Sequence, residues 1–342
     1  LLLYKYSDWN NEYTKENLKH NRLYFNIATN FNDPFDMYPN YQILDRKLYN
    51  NQQKKYLQKK KGYTKKNARI ASTLMSNKAI LNTAIISMRY HKDISRYGIT
   101  CFSENNSNML MWSHYANNHS GICLGFDIPT DNLLLFFNNA FYPNIKLLKI
   151  NYTSIRPVLP LLKTDLTYED ILPIFKDKNS DWQYEKEYRL LLLGEKNSFP
   201  SCLTYNSQYL KEIILGANMN LNDFINFYEF KQSIQNLSKI KIFIMTLDSV
   251  KYKLNLNKFD EKSLDILYNN LIFLKKRLKY QKELSHITDE NFSSAFNNIS
   301  LNLILTICNL FSKEILNDKV LSKKNSLAMQ VYDFKNLILN QI

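Results

Sequence analysis

The sequence predicts an α+β domain with a mixed or antiparallel sheet and flanking helices, followed by an all-helical C-terminal appendage. Three observations predict it. Strand-like apolar runs mix with helical segments but lack the steady β-α alternation of a parallel wound sheet. Gly and Pro punctuate the chain as far as Gly216, and neither occurs beyond it. The composition is 45% hydrophobic, 14% aromatic and 22% charged, enough apolar surface for a packed core and too much for a disordered chain. With 342 residues the chain has room for more than one core. The α+β domain is placed at 1–255 and the helical appendage at 256–342.

The elements follow in order. Leu1–Tyr6 is an apolar-aromatic run that suits a buried strand, and a helix around Thr14–Lys19 leads to a short strand at Arg22–Ile27. Asn32-Asp33-Pro34-Phe35-Asp36 is a turn, because Pro34 fixes its own φ and pushes Asp33 away from the α region. Residues 42–94 hold little Gly or Pro and read as helical. Gly98–Ser103 and Gly121–Ile128 read as strands, and between them Asn108–Ala116 carries Met109, Met111, Trp112 and Tyr115 at helical spacing. Leu148–Tyr152, Tyr188–Leu193, Ile213–Leu215 and Lys239–Leu247 supply further strands. From about Glu261 the apolar residues recur as helical stripes, first Leu264, Ile266, Leu267, Leu271 and Leu274, then over 292–316 and 325–339, with Asp260 and Asp289 as N-caps. Such helices are also a surface for a protein partner.

The formal charge of +14 is concentrated. Residues 46–69 hold ten Lys and Arg and no acid. The segment is either a contact for nucleic acid or another polyanion, or a solvated helical face. Abundant Asn and Lys read as compositional drift. The longest apolar stretches are too short and too polar to span a bilayer, so no membrane role is expected, and no signal peptide is expected at Leu1–Lys5. Four Cys without a C-x-x-C pair fit a reducing, cytoplasmic setting.

Glycine-loop nucleotide motifs, H-E-x-x-H and G-x-S-x-G are all absent. Cys101, His114, His119 and Cys123 lie within 23 residues, but zinc sites usually begin with closely paired ligands. Buried thiols are the expectation here, and no metal. The most informative segment is Trp182-Gln183-Tyr184-Glu185-Lys186-Glu187-Tyr188-Arg189. Strand alternation would turn Glu185 and Glu187 to one side of a sheet end, where one carboxylate can stabilise positive charge and the other orient a nucleophile. The structural alternative is an edge strand whose charges pair with Arg189 and Lys186. Ser103 at a strand end, followed by Trp112 and Tyr115 on a helix, could hold a flat ring by stacking and hydrogen bonding; the alternative is core. Asn32 and Asp33, on a Pro-locked turn, either border the same cleft or cap backbone groups.

Six segments stand in order: Leu3-Tyr4-Lys5-Tyr6, Phe31-Asn32-Asp33-Pro34-Phe35-Asp36, Cys101-Phe102-Ser103-Glu104, Met111-Trp112-Ser113-His114-Tyr115-Ala116, Gly121-Ile122-Cys123-Leu124-Gly125-Phe126-Asp127 and Trp182-x-Tyr184-Glu185-x-Glu187-Tyr188-Arg189. Together they resemble the bacterial family catalogued as domain of unknown function 2971, over about residues 1–250. That resemblance implies a module rather than a mechanism, with a weak pointer to phage defence or a toxin-like effector. A looser resemblance is to ADP-ribosyltransferases, in which a basic residue on a first strand, a Ser/Thr strand and a Glu-x-Glu strand occur in this order. It implies a split sheet and NAD as substrate, with ADP-ribose passed to a macromolecule or to water. Glu187 would stabilise the oxocarbenium-like transition state and Glu185 would orient the acceptor. Lys5, where those enzymes have Arg or His, would join Tyr6, Asn32, Asp33, Ser103, Trp112 and Tyr115 around the NAD. The reading from another class is a non-catalytic nucleotide- or nucleic-acid-binding module that uses 46–69.

Overall fold

The computed structural model describes residues 1–42, 46–77, 90–91, 94–137, 145–160, 166–194, 199–285 and 300. In chain order its elements are β1 (Leu2–Ser7), α1 (Glu12–Lys19), β2 (Arg22–Phe25), β3 (Asn40–Gln42), α2 (Arg46–Lys61), α3 (Lys65–Asn77), β4 (Tyr97–Ser103), α4 (Met109–Tyr115), β5 (Ile122–Asp127), β6 (Ile145–Lys149), β7 (Asn151–Thr153), β8 (Val158–Pro160), α5 (Tyr168–Lys176), β9 (Asp177–Asn179), β10 (Glu187–Leu193), β11 (Ser201–Thr204), β12 (Leu210–Leu215), α6 (Leu221–Ser233), β13 (Lys241–Leu247), β14 (Leu254–Phe259) and α7 (Glu261–Ser285). The class is mixed α+β. Two compact units share the chain: 1–21, 105–128 and 206 onward form the first, and 22–104 with 129–205 form the second.

The first unit carries a mixed sheet in the order β14-β13-β12-β5-β1. The β12–β13 pair is parallel, with α6 in the crossover, and the other pairs are antiparallel. Helices α1, α4 and α6 begin at asparagines. The Asn108 side chain accepts from the N–H groups of Leu110 and Met111 at 2.9 and 3.1 Å, and Asn220 accepts from Asp223 N–H at 2.8 Å. Each such cap satisfies backbone donors that the first turn leaves unpaired. Asparagine abundance, read from composition as drift, is therefore structural at these positions.

The helix expected from Glu261 is α7. It packs on α6, with the Tyr228 and Tyr268 rings stacked at 4.2 Å and Lys231 paired to Glu261 at 2.5 Å. Leu254–Phe259 is one strand, so the change to helical sequence falls after Phe259 rather than at 255/256. The helices expected over 292–316 and 325–339 lie outside the described residues. No helix among the described residues is long and apolar enough to cross a membrane.

The second unit carries β4-β10-β6, both pairs antiparallel, and three two-stranded ladders, β2–β11, β3–β8 and β7–β9. Directly opposed residues of an antiparallel pair point to the same face. Leu191 lies opposite Ile99, Arg189 opposite Cys101 and Glu187 opposite Ser103. One face of this sheet therefore grades from apolar to ionic along β10. The apolar end packs against Ile171, Ile174 and Phe175 of α5 and against Met37 and Tyr97.

Candidate functional site

The ionic end of that face gathers Asp36, Lys178, Glu185, Glu187 and Arg189, each with a side chain 5% exposed or less. Arg189 donates from Nε to Glu187 Oε1 at 2.7 Å and from one terminal nitrogen to both Asp36 oxygens at 2.9 and 2.7 Å. Its other terminal nitrogen donates to the Phe175 carbonyl at the C-terminal turn of α5, at 3.3 Å. Lys178 Nζ donates to Glu185 at 2.5 Å and to Glu187 at 2.9 Å, and lies 3.6 Å from Asp36. Three carboxylates thus face two cations. Burial alone would raise the Glu187 carboxyl, but Arg189 and Lys178 outweigh it and hold the group well below the usual carboxylate range.

Local structure explains how each side chain arrives. In the turn after the 3-10 segment Ala28–Asn30, Asp33 accepts from Phe35 N–H at 2.9 Å, and three residues later the chain points Asp36 inward. Lys178 sits in the middle of β9, in register with Tyr152 of the parallel strand β7. The Tyr152 hydroxyl accepts from Glu187 N–H at 2.8 Å, and burial pushes its own pKa up to about 12. Glu185 closes a 3-10 turn, and Lys186 then takes a left-handed φ of 44° before β10 begins. The two glutamates do share a side, as alternation would suggest. The cause is different: a turn residue and a strand residue both reach for Lys178.

Ser103 is fully buried and donates to the Glu185 carbonyl at 2.6 Å, so it braces the turn. Asn32 is exposed, while Asp33 serves as the turn cap. The structural alternative, backbone capping, therefore describes Asp33. Lys5 lies on β1 opposite Leu124. Trp112 has 0% exposure, donates to the Asn106 carbonyl at 2.8 Å and meets Tyr6 edge to face at 5.3 Å. It is core of the first unit rather than a stacking platform, and Tyr6, bonded to the Asn105 carbonyl at 2.7 Å, packs with it. Tyr115 is half-buried beside His114. Lys5, Tyr6, Trp112 and Tyr115 belong to the first unit; Asn32, Asp33, Ser103, Glu185 and Glu187 belong to the second. Nor is Glu187 on an edge strand: β10 runs between β4 and β6, and Lys186 is exposed.

Sequence reasoning gave no site role to Asp36, Lys178 or Arg189. Asp36 and Arg189 stand inside quoted motifs, which was the available signal. Lys178 had none, as one lysine in a lysine-rich chain. Beside the cluster a cavity of about 250 Å³ is lined by Phe35, Tyr38, Arg156, Asp177, Lys178 and Asn179, among others. The Arg156 guanidinium lies 5.6 Å from the Phe35 ring centre and 6.0 Å from that of Tyr38. Among the described residues, no group of three or more His, Cys, Asp or Glu is arranged to hold a metal ion.

No curated protein and no solved structure matches the chain. The ADP-ribosyltransferase resemblance therefore rests on its motifs alone. Residues 111–190, which carry Lys178, Glu185, Glu187 and Arg189, match the model of the family described as protein of unknown function (DUF2971), the family whose motifs the sequence resembles.

Proposed function

We propose that the second unit is a nucleotide-binding module whose ligand sits in the cavity beside the buried cluster. One observation carries the reading. Segments around 36, 178 and 185–189, far apart in sequence, converge on one buried ionic cluster, and Lys178 belongs both to that cluster and to the cavity wall. Buried ion pairs are a costly way to gain stability. They are a good way to fix a wall in one geometry.

The lining suits a flat, anionic ligand. Phe35 is 61% exposed and Tyr38 is half-buried, so both offer ring surface. Arg156 is exposed and supplies a planar cation for phosphate. Lys178 is saturated by carboxylates and so acts as a brace. The Asp177 carboxylate can accept from a ribose hydroxyl or a base amine. At about 250 Å³ the space is below the roughly 300–1,000 Å³ of drug-sized pockets, which suits one nucleotide half better than a whole dinucleotide.

Calorimetric titration with mononucleotides and with NAD tests this. Arg156→Ala should weaken binding of a nucleoside monophosphate about tenfold, or about 1.4 kcal/mol. The same change should affect the free nucleoside much less, and Phe35→Ala should weaken both. Heatless titrations with all four monophosphates and NAD at millimolar concentration would sink the proposal.

A second reading is ADP-ribosyl transfer from NAD. It is favoured by Glu185 and Glu187 entering β10 with Ser103 opposite on β4. Against it, both carboxylates face Lys178 or Arg189 and are buried, so they would have to leave their cations to meet a ribose. Nicotinamide release from NAD by the wild type, lost in a folded Glu187→Gln variant, would put this reading first.

A further inference from the structure

We infer that the α2–α3 hairpin is a surface for single-stranded nucleic acid, at a place separate from the cavity. Its own architecture sets the argument. The two helices pack on each other, and Tyr49, Leu57, Ala68 and Ser72 along them are buried. Gly62, at a φ of +67° that other residues rarely adopt, ends α2, and the Tyr63 N–H returns to the Leu57 carbonyl at 3.1 Å. Thr64 then starts α3, its hydroxyl accepting from Asn67 N–H at 3.2 Å. Both helices lack any acidic residue. Lys55, Lys59, Lys60, Lys61, Lys65 and Lys66 are all exposed around this turn.

These charges work against the hairpin. Cations suit the last turn of α2, but Lys65 and Lys66 open α3, where the helix dipole disfavours them. Lys55 and Lys59 stand as a like-charged pair one turn apart. With no carboxylate on either helix to offset the repulsion, a polyanion supplies the missing counter-charge. Two aromatic side chains lie open among the lysines: Tyr56 is 51% exposed and Tyr63 46%. Cationic side chains interleaved with open rings fit unpaired bases on a phosphate backbone. An anionic membrane fits less well, since interfacial helices bury a broad apolar face. Among the described residues, Tyr56 is the large hydrophobic side chain that α2 exposes, while Ile70 and Leu74 sit farther along α3, beyond the lysines.

Fluorescence anisotropy on the full chain, with labelled oligo(dT) and oligo(U) of about twenty nucleotides, tests the inference. Contact with about five phosphates should weaken binding about 100-fold between 50 and 200 mM salt. Changing all six lysines to Gln should remove most of the affinity and flatten the salt dependence. Tyr56→Ala with Tyr63→Ala should weaken both oligonucleotides about tenfold and leave inorganic polyphosphate binding at the wild-type level. The inference fails if the wild type binds neither oligonucleotide at 50 mM salt, or if the six-lysine variant binds as well as the wild type. It also fails if the tyrosine variant behaves as the wild type, which would leave a plain polyphosphate surface, or if phosphatidylserine vesicles bind and the oligonucleotides do not. Mononucleotide titration of the six-lysine variant should match the wild type, so this result and the cavity proposal stand or fall separately.

Discussion

Arg189→Met should lower the unfolding free energy by about 3–5 kcal/mol, the usual cost of leaving a buried charge without its partner. The arginine donates to both Asp36 oxygens, to both Glu187 oxygens and to the Phe175 carbonyl. Its loss strands two carboxylates beneath α5 and leaves Lys178 to face three. Arg189→Lys should recover little, because a compact ammonium cannot serve both carboxylates and the helix-end carbonyl at once. Lys149→Gln, which removes an exposed pair with Glu104, is the control and should leave stability unchanged. Urea unfolding followed by tryptophan fluorescence reads all three. At roughly 2–4 °C per kcal/mol, the Met variant should also melt about 10 °C lower. A loss under about 1 kcal/mol would mean that the cluster is wetter and more forgiving than its geometry says.

Part of this site was legible in the sequence, and the parts that were not share a physical reason. The long strands β1, β4, β5, β10 and β13 show in apolar runs of six or seven residues. Strands β3, β7 and β9 have three residues each, too few for alternation to register, and form because partners meet them in space. Helix α5 was hidden by Pro173 in its interior, although its Thr167–Asp170 capping box was present to be read. Glu185 and Glu187 stood out by spacing. The structural alternative named Arg189 as a partner, and Arg189 does pair with Glu187. That Lys178 is the other partner depends on β9 lying parallel to β7, a tertiary fact that no local pattern encodes. The aromatic candidates failed for the converse reason. Trp112 and Tyr6 carry a polar edge and a large ring, which serve a core as readily as a ligand, and here both polar edges are spent on backbone carbonyls. At the Pro34 turn the sequence offered Asn32 and Asp33 as cleft or capping residues; Asp33 caps, and Asp36, three positions on, enters the cluster.

Lys178→Met should make stability depend on pH across the neutral range, and the sign follows from the charge count. In the wild type, Arg189 and Lys178 depress the Glu187 carboxyl despite its burial. A depressed carboxylate contributes stability that is fully present above the unfolded-state value of about 4.3. That contribution is lost only as pH falls through the lower folded-state value. The Lys178 ammonium is displaced the other way. Burial disfavours its charge, but Glu187 and Asp36 raise it above the ordinary lysine range. Its contribution is therefore present below about pH 10.4 and is lost as pH rises through the still higher folded-state value. Across neutral pH the wild-type cluster should thus be flat. Without Lys178, three buried carboxylates share one guanidinium, and Glu185, 3% exposed, loses its ammonium partner. Ionising all three is then more costly than holding a proton, so the folded state takes up a proton that the unfolded chain does not hold. Stability should rise as pH falls from 8 towards 5, by up to about 1.4 kcal/mol per pH unit for one proton. At pH 8 the loss should reach about 3–5 kcal/mol. Adding Glu185→Gln to the same chain leaves two carboxylates for the one guanidinium, so the double variant should regain much of that loss and lose the slope. Urea titrations at pH 5, 6, 7 and 8 on the three proteins decide it. A Lys178→Met variant with the flat wild-type profile would show that Lys178 does not hold these carboxylates ionised.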